Sequence, residues 1–320
     1  MIASLVIILA PVNMMYQQSN RYKNQNYELA KYQSVPYQIE IANFGSSHGQ
    51  LGFYYDHDGV NSFNFALSSQ TPEYDLVLLK DNLDHFAEGA KIIFPISYFT
   101  PYLLPQDQDD DFELRNQRYY RILSPLHIID FDLIQWIKEN LSVPNGKELI
   151  NLKALFDDDE LFTELSYQNG NFPLSNWENV NLVNGMDLSY EANLRWEFWM
   201  QYRANLDLDK TGTMSPEVIS IYQEIVNICE NNNLTPIFVT LPITSELNEV
   251  IDEKFYPFFK EDVQIMMDMI GNPLYLDYSH NEDFSYNPEY FIDTDHLSKF
   301  GADAFTNLLL DDIDRILNRE

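Results

Sequence analysis

Two short apolar runs constrain this chain more than anything else in it. Lys91-Ile92-Ile93-Phe94-Pro95-Ile96-Ser97-Tyr98-Phe99 and Thr235-Pro236-Ile237-Phe238-Val239-Thr240-Leu241-Pro242 are strand-length and rich in β-branched and aromatic residues. Such runs read as buried strands. Each follows a segment of helical spacing. A helix from about Glu73 to Phe86 carries leucines and a valine at helical intervals, after turn and cap chemistry in Leu67 to Pro72. A second begins at Ser215-Pro216-Glu217, with proline in the first position, and runs to about Asn231. Strand and helix alternating at this spacing is the signature of a parallel sheet, so the expected fold class is α/β.

Three more strands complete the pattern. Gln38-Ile39-Glu40-Ile41-Ala42-Asn43 alternates isoleucines on one face, Val60 to Ala66 alternates likewise, and Pro273 to Tyr278 is a last short strand. Helices are expected over roughly Ser245 to Ile270 and Lys299 to Leu317. The middle, about 101–213, does not extend the sheet. It holds acidic clusters at 107–111 and 157–160 and aromatic helical pieces such as Asn193-Leu194-Arg195-Trp196-Glu197-Phe198-Trp199-Met200. The simplest account is a helical and loop-rich insertion over one end of the sheet, of the kind that often shapes a pocket.

Residues 1–16 are apolar and uncharged, yet shorter than the roughly 20 residues of a spanning helix, and they lack the basic start of a signal peptide. Two readings follow: the outer part of a membrane anchor whose beginning is missing, or a buried N-terminal element. The polar, linker-like stretch Gln17 to Gln33 favours the anchor. The expected organisation is an apolar segment and linker over 1–33 and an α/β domain over 34–320.

The chain of 320 residues carries 50 acidic against 19 basic residues, a net charge of -31. It repels nucleic acid and anionic head groups at long range, and it has no basic cluster to neutralise phosphates, which argues against nucleic-acid binding. The hydrophobic fraction of 45% is enough for a packed core and is not that of a disordered chain. The one cysteine, Cys229, lies on an apolar helix face and is expected in the core.

Two distant stretches carry chemistry. Phe44-Gly45-Ser46-Ser47-His48-Gly49 follows the first strand, and a serine there can present its hydroxyl at the carboxyl edge of the sheet. Near the other end, Phe291-Ile292-Asp293-Thr294-Asp295-His296-Leu297-Ser298 supplies an Asp and a His three apart. A serine becomes a nucleophile when a base takes its proton and a third group orients the base. His296 would be the base, Asp293 the orienting acid, and Asp295 the runner-up for that role. The backbone N–H of Ser47 points where an oxyanion would develop.

The order of a Gly-x-Ser turn, alternating α/β units and a C-terminal Asp-x-x-His before a last helix resembles the SGNH/GDSL hydrolase superfamily, most of all its envelope branch of D-alanyl-transfer and alginate O-acetylation proteins. The matching residues are Phe44 to Ser47, Asn64 to Ala66 through Ser69-Gln70, and Pro288 to Ala302, with the α/β portions covered and the insertion not. The resemblance implies a three-layer, flavodoxin-like parallel sheet. It implies Ser47, not Ser46, as nucleophile and Asp293, not Asp295, as the acid. It departs from the family in three places. Ser46 stands for the usual Asp. The Gly-x-Asn-Asp block is missing, with Ile96-Ser97-Tyr98-Phe99 in its place. The second block's glycine has no counterpart near Ser68 or Ser69. Asn64, Gln70 and His48 are the further oxyanion or substrate-contact candidates beside Ser47.

No histidine or cysteine spacing suggests zinc, and no cofactor is expected. Asp207 to Thr213 imitates the start of a calcium loop, but Val218 stands where a bidentate Glu is needed, so calcium is not expected. His57, His85, His127 and His280 occur singly and are expected in surface or core roles. The expected function is a serine esterase or O-acyltransferase acting on acyl groups of a cell-envelope or exported polysaccharide. It would be anchored by its N-terminus with its catalytic domain outside the cytoplasm, the alternative being a secreted or cytoplasmic protein, with a membrane-bound O-acyltransferase as a second partner beside the acylated glycan. The alternative, of another class, is a non-catalytic envelope assembly protein that binds a glycan on the same fold.

Overall fold

The computed structural model describes residues 11, 14–16, 22, 26–56, 59–103, 112–140, 168–172, 185–201, 214–252 and 255–318. Most of residues 1–16, the acidic clusters and the imitation calcium loop over Asp207 to Thr213 lie outside these. Among the described residues no helix is long and apolar enough to cross a membrane.

The chain divides into two compact units. The larger spans 36–110 and 168–320, the smaller 1–35 and 111–167.

The larger unit is α/β. Its five strands are β1 (Ile39–Asn43), β2 (Ser62–Asn64), β3 (Phe86–Pro95), β4 (Thr235–Thr240) and β5 (Leu274–Asp277). All pair in parallel, in the order β2-β1-β3-β4-β5. That is the flavodoxin-like order, and its direction reverses between β1 and β3, where open α/β sheets leave a crevice at the carboxyl ends of the strands. Among the described residues, the helices of six residues or more in this unit are α1 (Ser47–Gly52), α2 (Pro72–Asp81), α3 (Leu188–Gln201), α4 (Pro216–Asn231), α5 (Ser245–Asp252), α6 (Tyr256–Met269) and α7 (Lys299–Leu317).

The period-two pattern of β4 shows why both faces are covered. Ile237 and Val239 join Ile41 and Ile93 in a core closed by Phe305, Leu309 and Ile313 of α7. Phe238, on the opposite face, meets Tyr222 of α4 edge-on at 5.3 Å and Phe94 at 5.6 Å. Cys229 of α4 is buried as a free thiol, and burial pushes its pKa up to about 12.

Two expected boundaries move. β3 starts at Phe86, where the helical spacing predicted a helix end; α2 stops at Asp81 and a short 3-10 turn over Leu83–His85 intervenes. The long helix predicted over Ser245 to Ile270 is two helices, α5 and α6, with Phe255 outside helical geometry (φ -144) and proline in the first turn of α6. Proline cannot supply the amide that a continuous helix would need there.

The smaller unit corrects the linker expected through Gln33. Tyr27–Gln33 is a helix, and Lys31 within it is buried, which pulls its ammonium down to about 7. Three further helices, Phe112–Asn116, Tyr119–Ile122 and Leu133–Asn140, belong to the same unit. Arg118 pairs with Glu28 at 3.8 Å and Arg121 with Glu139 at 2.8 Å.

Candidate functional site

The turn after β1 is built by buried side chains around one tight backbone passage. Gly45 has φ +105, a conformation that L side chains rarely adopt. Its N–H donates to Asp75 Oδ1 at 2.9 Å, and Gln70 Nε2 donates to the same oxygen at 2.7 Å. Burial pushes Asp75 up to about 7 in spite of these two donors. Ser46 then serves as N-cap residue of α1, which makes Ser47 its first residue. The first amides of a helix have no acceptor within it, so the Ser47 N–H has none inside α1.

Asn64 and Asn43, aligned across β2 and β1, hold α1 in place. Asn64 Nδ2 donates to the carbonyls of Gly49, Gln50 and Phe53 at 3.1–3.4 Å. Its Oδ1 accepts from the Ala66 N–H at 2.9 Å and from Asn43 Nδ2 at 3.2 Å. Gly49 is required where this turn closes, because a Cβ there would stand 2.3 Å from the Phe44 carbonyl oxygen.

The second stretch arrives between β5 and α7 as a small closed loop. An isolated antiparallel bridge joins Phe291 to Leu297, and the Ile292 N–H donates to the His296 carbonyl at 2.9 Å. Within it Asp293 Oδ1 accepts from the N–H groups of Asp295 and His296 at 3.0 and 2.8 Å. This is an aspartate bonding the backbone two and three residues on, which is why the residue type suits the turn. Ser298 caps α7 through the Gly301 N–H at 3.1 Å and donates to the Glu289 carbonyl at 2.8 Å. The Thr244 N–H and hydroxyl both reach the Thr294 carbonyl, at 3.1 and 3.2 Å, and tie the loop to the segment after β4.

The two stretches meet side chain to side chain. Ser47 Oγ lies 2.8 Å from His296 Nε2, and His296 Nδ1 lies 2.8 Å from Asp293 Oδ2. Asp295 Oδ1 is also near Nδ1, at 3.4 Å. His48 faces its own carboxylate, with Nε2 3.0 Å from Asp295 Oδ2, and its ring stacks on that of His296 at 4.6 Å. Phe99, from the loop after β3, closes on His48 at 5.6 Å. Arg195 of α3 adds a guanidinium, with Nη2 3.0 Å from Asp293 Oδ2 and Nε 2.9 Å from Asp295 Oδ1.

Electrostatics separate the two imidazoles. Burial alone would lower both. His296 nevertheless stands above its ordinary value, because the carboxylates of Asp295 and Asp293 and the hydrogen bond to Asp293 outweigh burial, with Arg195 opposing them. His48 stands below: burial dominates over its bond to Asp295, and the neighbouring His296 adds to the lowering. Burial would raise Asp293, but His296 and Arg195 hold it well below the usual carboxylate range. The cluster therefore presents an ionised acid, a ring of raised basicity and a hydroxyl in series, next to a second ring kept neutral.

The sequence candidates fall into three groups. Ser47, His296 and Asp293 are brought together, and His48 and Asp295 stand beside them. Asn64 and Gln70 are not turned to the serine: the first binds carbonyls of α1 and the second binds Asp75, so both serve the scaffold of the turn. Of the single histidines, His85 stacks on Tyr37 at 4.1 Å and His280 pairs with Asp252 at 2.6 Å. Arg195, Asn43 and Asp75 were not foreseen, since no motif or spacing marks them. Among the described residues, His48, Asp295 and His296 are the group whose donor atoms, all within 4.8 Å of one another, could gather around a metal ion. The same atoms already face one another, Ser47 and Arg195. No family model matches the chain, and no curated protein matches its sequence.

Proposed function

We propose that the protein is a serine esterase or O-acyltransferase that works through an acyl-enzyme on Ser47. The observation that carries this reading is the unbroken series Ser47 Oγ, His296 Nε2, His296 Nδ1 and Asp293 Oδ2, with 2.8 Å at each hydrogen bond, assembled from residues 249 apart in sequence. Both distances are within the range a general base needs. His296 takes the proton of Ser47 as Oγ attacks an ester carbonyl. Asp293 keeps the Nδ1 proton in place and stabilises the imidazolium that forms. The Ser47 N–H donates to the oxyanion. Collapse expels the alcohol, which takes its proton from His296. In the second half the same ring activates water, or a sugar hydroxyl where the acyl group is transferred.

The substrate class follows from the resemblance and from charge. A chain of net charge -31 suits a neutral O-acylated glycan of the cell envelope or an exported polysaccharide better than a polyanion. On this reading the protein works at the outer face of the membrane, with a membrane-bound O-acyltransferase as the donor-side partner.

A fluorophosphonate probe tests the enzyme reading directly. Wild type is expected to form one adduct, on Ser47, and Ser47→Ala to form none. Wild type that stays unlabelled under conditions that label a control esterase sinks the enzyme reading in favour of a non-catalytic assembly protein. Label that persists in Ser47→Ala rules out this nucleophile.

A further inference from the structure

Arg195 brings a positive charge to the candidate site from a helix that carries none of its motifs. Ala192, Trp196 and Trp199 are buried on α3, and Arg195 shares their side of the helix by its spacing. Trp196 packs 5.7 Å from Phe255, and Trp199 packs 5.8 Å from Tyr98 and 6.0 Å from Phe99. These aromatic contacts anchor the helix, and Arg195 reaches from it across to the Asp293–His296 loop. Its guanidinium touches one oxygen of each aspartate, at 3.0 Å for Asp293 and 2.9 Å for Asp295. The same two oxygens are the ones that approach His296 Nδ1, at 2.8 and 3.4 Å. Two ionised carboxylates converging on one ring nitrogen repel each other unless a cation lies between them. A guanidinium suits that place, being planar, always charged and forked.

We infer that Arg195 is a positioning residue: its guanidinium clamps Asp293 and Asp295 together, keeps Asp293 as the partner of His296 Nδ1, and balances the charge beside the ring. The inference rests on the reading of His296 as the base for Ser47. The charged and titratable groups facing His296 are Asp293 and Asp295 on its own loop, His48 on α1 and Arg195 on α3. With His48 neutral, two carboxylates and one guanidinium leave one net negative charge beside the ring. Without Arg195 two remain, the imidazolium is held more tightly, and the ring becomes a base only at higher pH. Asp295, bonded on its other oxygen to His48, is also released to compete for Nδ1.

The test is an NMR titration of the His296 ring in wild type and in Arg195→Gln, Arg195→Lys, Asp295→Asn and the Arg195→Gln/Asp295→Asn pair. Arg195→Gln is expected to raise the midpoint by about one pH unit or more, and Asp295→Asn to lower it comparably, with the double variant close to wild type. Arg195→Lys keeps the charge without the fork, so its midpoint stays near wild type while fluorophosphonate labelling slows about tenfold. An unshifted midpoint in a folded Arg195→Gln overturns the clamp. Should Arg195→Gln alone fail to fold, Asp295→Asn and the double variant make the same comparison, and equal midpoints there overturn it too. The titration reads the ring and not turnover, so a protein that takes no label overturns the esterase reading, and an unshifted midpoint overturns the clamp.

Discussion

Asn64→Asp separates a scaffold role from a catalytic one at a position where the sequence suggested an oxyanion donor. The substitution keeps the shape and leaves Oδ1 to accept from Ala66. It replaces the amide that donates to the Gly49, Gln50 and Phe53 carbonyls by a second oxygen facing the same three acceptors. The site is fully buried, with no exposed surface on the side chain. The Gly49 carbonyl keeps the Asn43 Nδ2 donor, and leaving the Gln50 and Phe53 carbonyls without theirs costs about 1–3 kcal/mol each. An uncompensated buried charge costs about 3–5 kcal/mol. The first route gives about 2–6 kcal/mol and the second about 3–5, so a loss of about 3–5 kcal/mol is expected at pH 7, a large part of the stability of an ordinary domain. The new carboxyl would have a folded pKa raised above its unfolded value near 3.9. The folded state then prefers the proton, so the deficit is smallest near pH 4 and grows as pH rises through the unfolded value toward 7. Urea unfolding of both proteins at pH 4.5 and 7 measures this. An oxyanion role predicts the opposite: unchanged urea midpoints and labelling slowed about 10²–10³-fold. That outcome would refute the scaffold argument.

Other perturbations probe the loop, the turn and the base. Activity toward an activated ester should climb with pH with a midpoint above 6.5, because the base form of His296 is needed and its pKa is raised from that value; a midpoint at or below 6.5 contradicts the charge arrangement described. Gly301→Ala would place a Cβ 2.1 Å from the Tyr290 carbonyl oxygen and push the Phe291–Leu297 loop off α7. A loss of about 1–3 kcal/mol with slowed labelling is expected, and an unchanged thermal midpoint counts against it. Ser69 holds φ +58, a conformation that favours glycine, and it is exposed. Ser69→Gly should therefore stabilise by about 0.5–1 kcal/mol in a thermal melt, and a loss of that size would show that the serine side chain holds the turn. Chelation should leave labelling unchanged; loss of labelling on chelation would point to a metal among His48, Asp295 and His296.

What the sequence determined by itself was local. Apolar runs at 91–99 and 235–242 and helical spacing between them are properties of neighbouring residues, and they were enough for an α/β class and for helices whose ends at Asn231 and Leu317 agree with the structure. Serine in a Gly-x-Ser turn and Asp three before His are short-range patterns too, so Ser47, His296 and Asp293 could be named as candidates before their distances were known. Pro257 two residues into α6 was a stop signal in plain sight, outweighed by the apolar periodicity around it. The tertiary structure decided what depends on residues far apart in the chain. Asn64 looks like any strand residue until the carbonyls of α1 close around it. Arg195 lies in a segment with no motif, and its role exists because packing of Trp196 and Trp199 carries its guanidinium to a loop 98 residues away in sequence. Charge balance is of the same kind. Spacing favours Asp293 over Asp295 as the partner of His296, but the guanidinium and the second imidazole that share the two carboxylates are brought to them only by the fold.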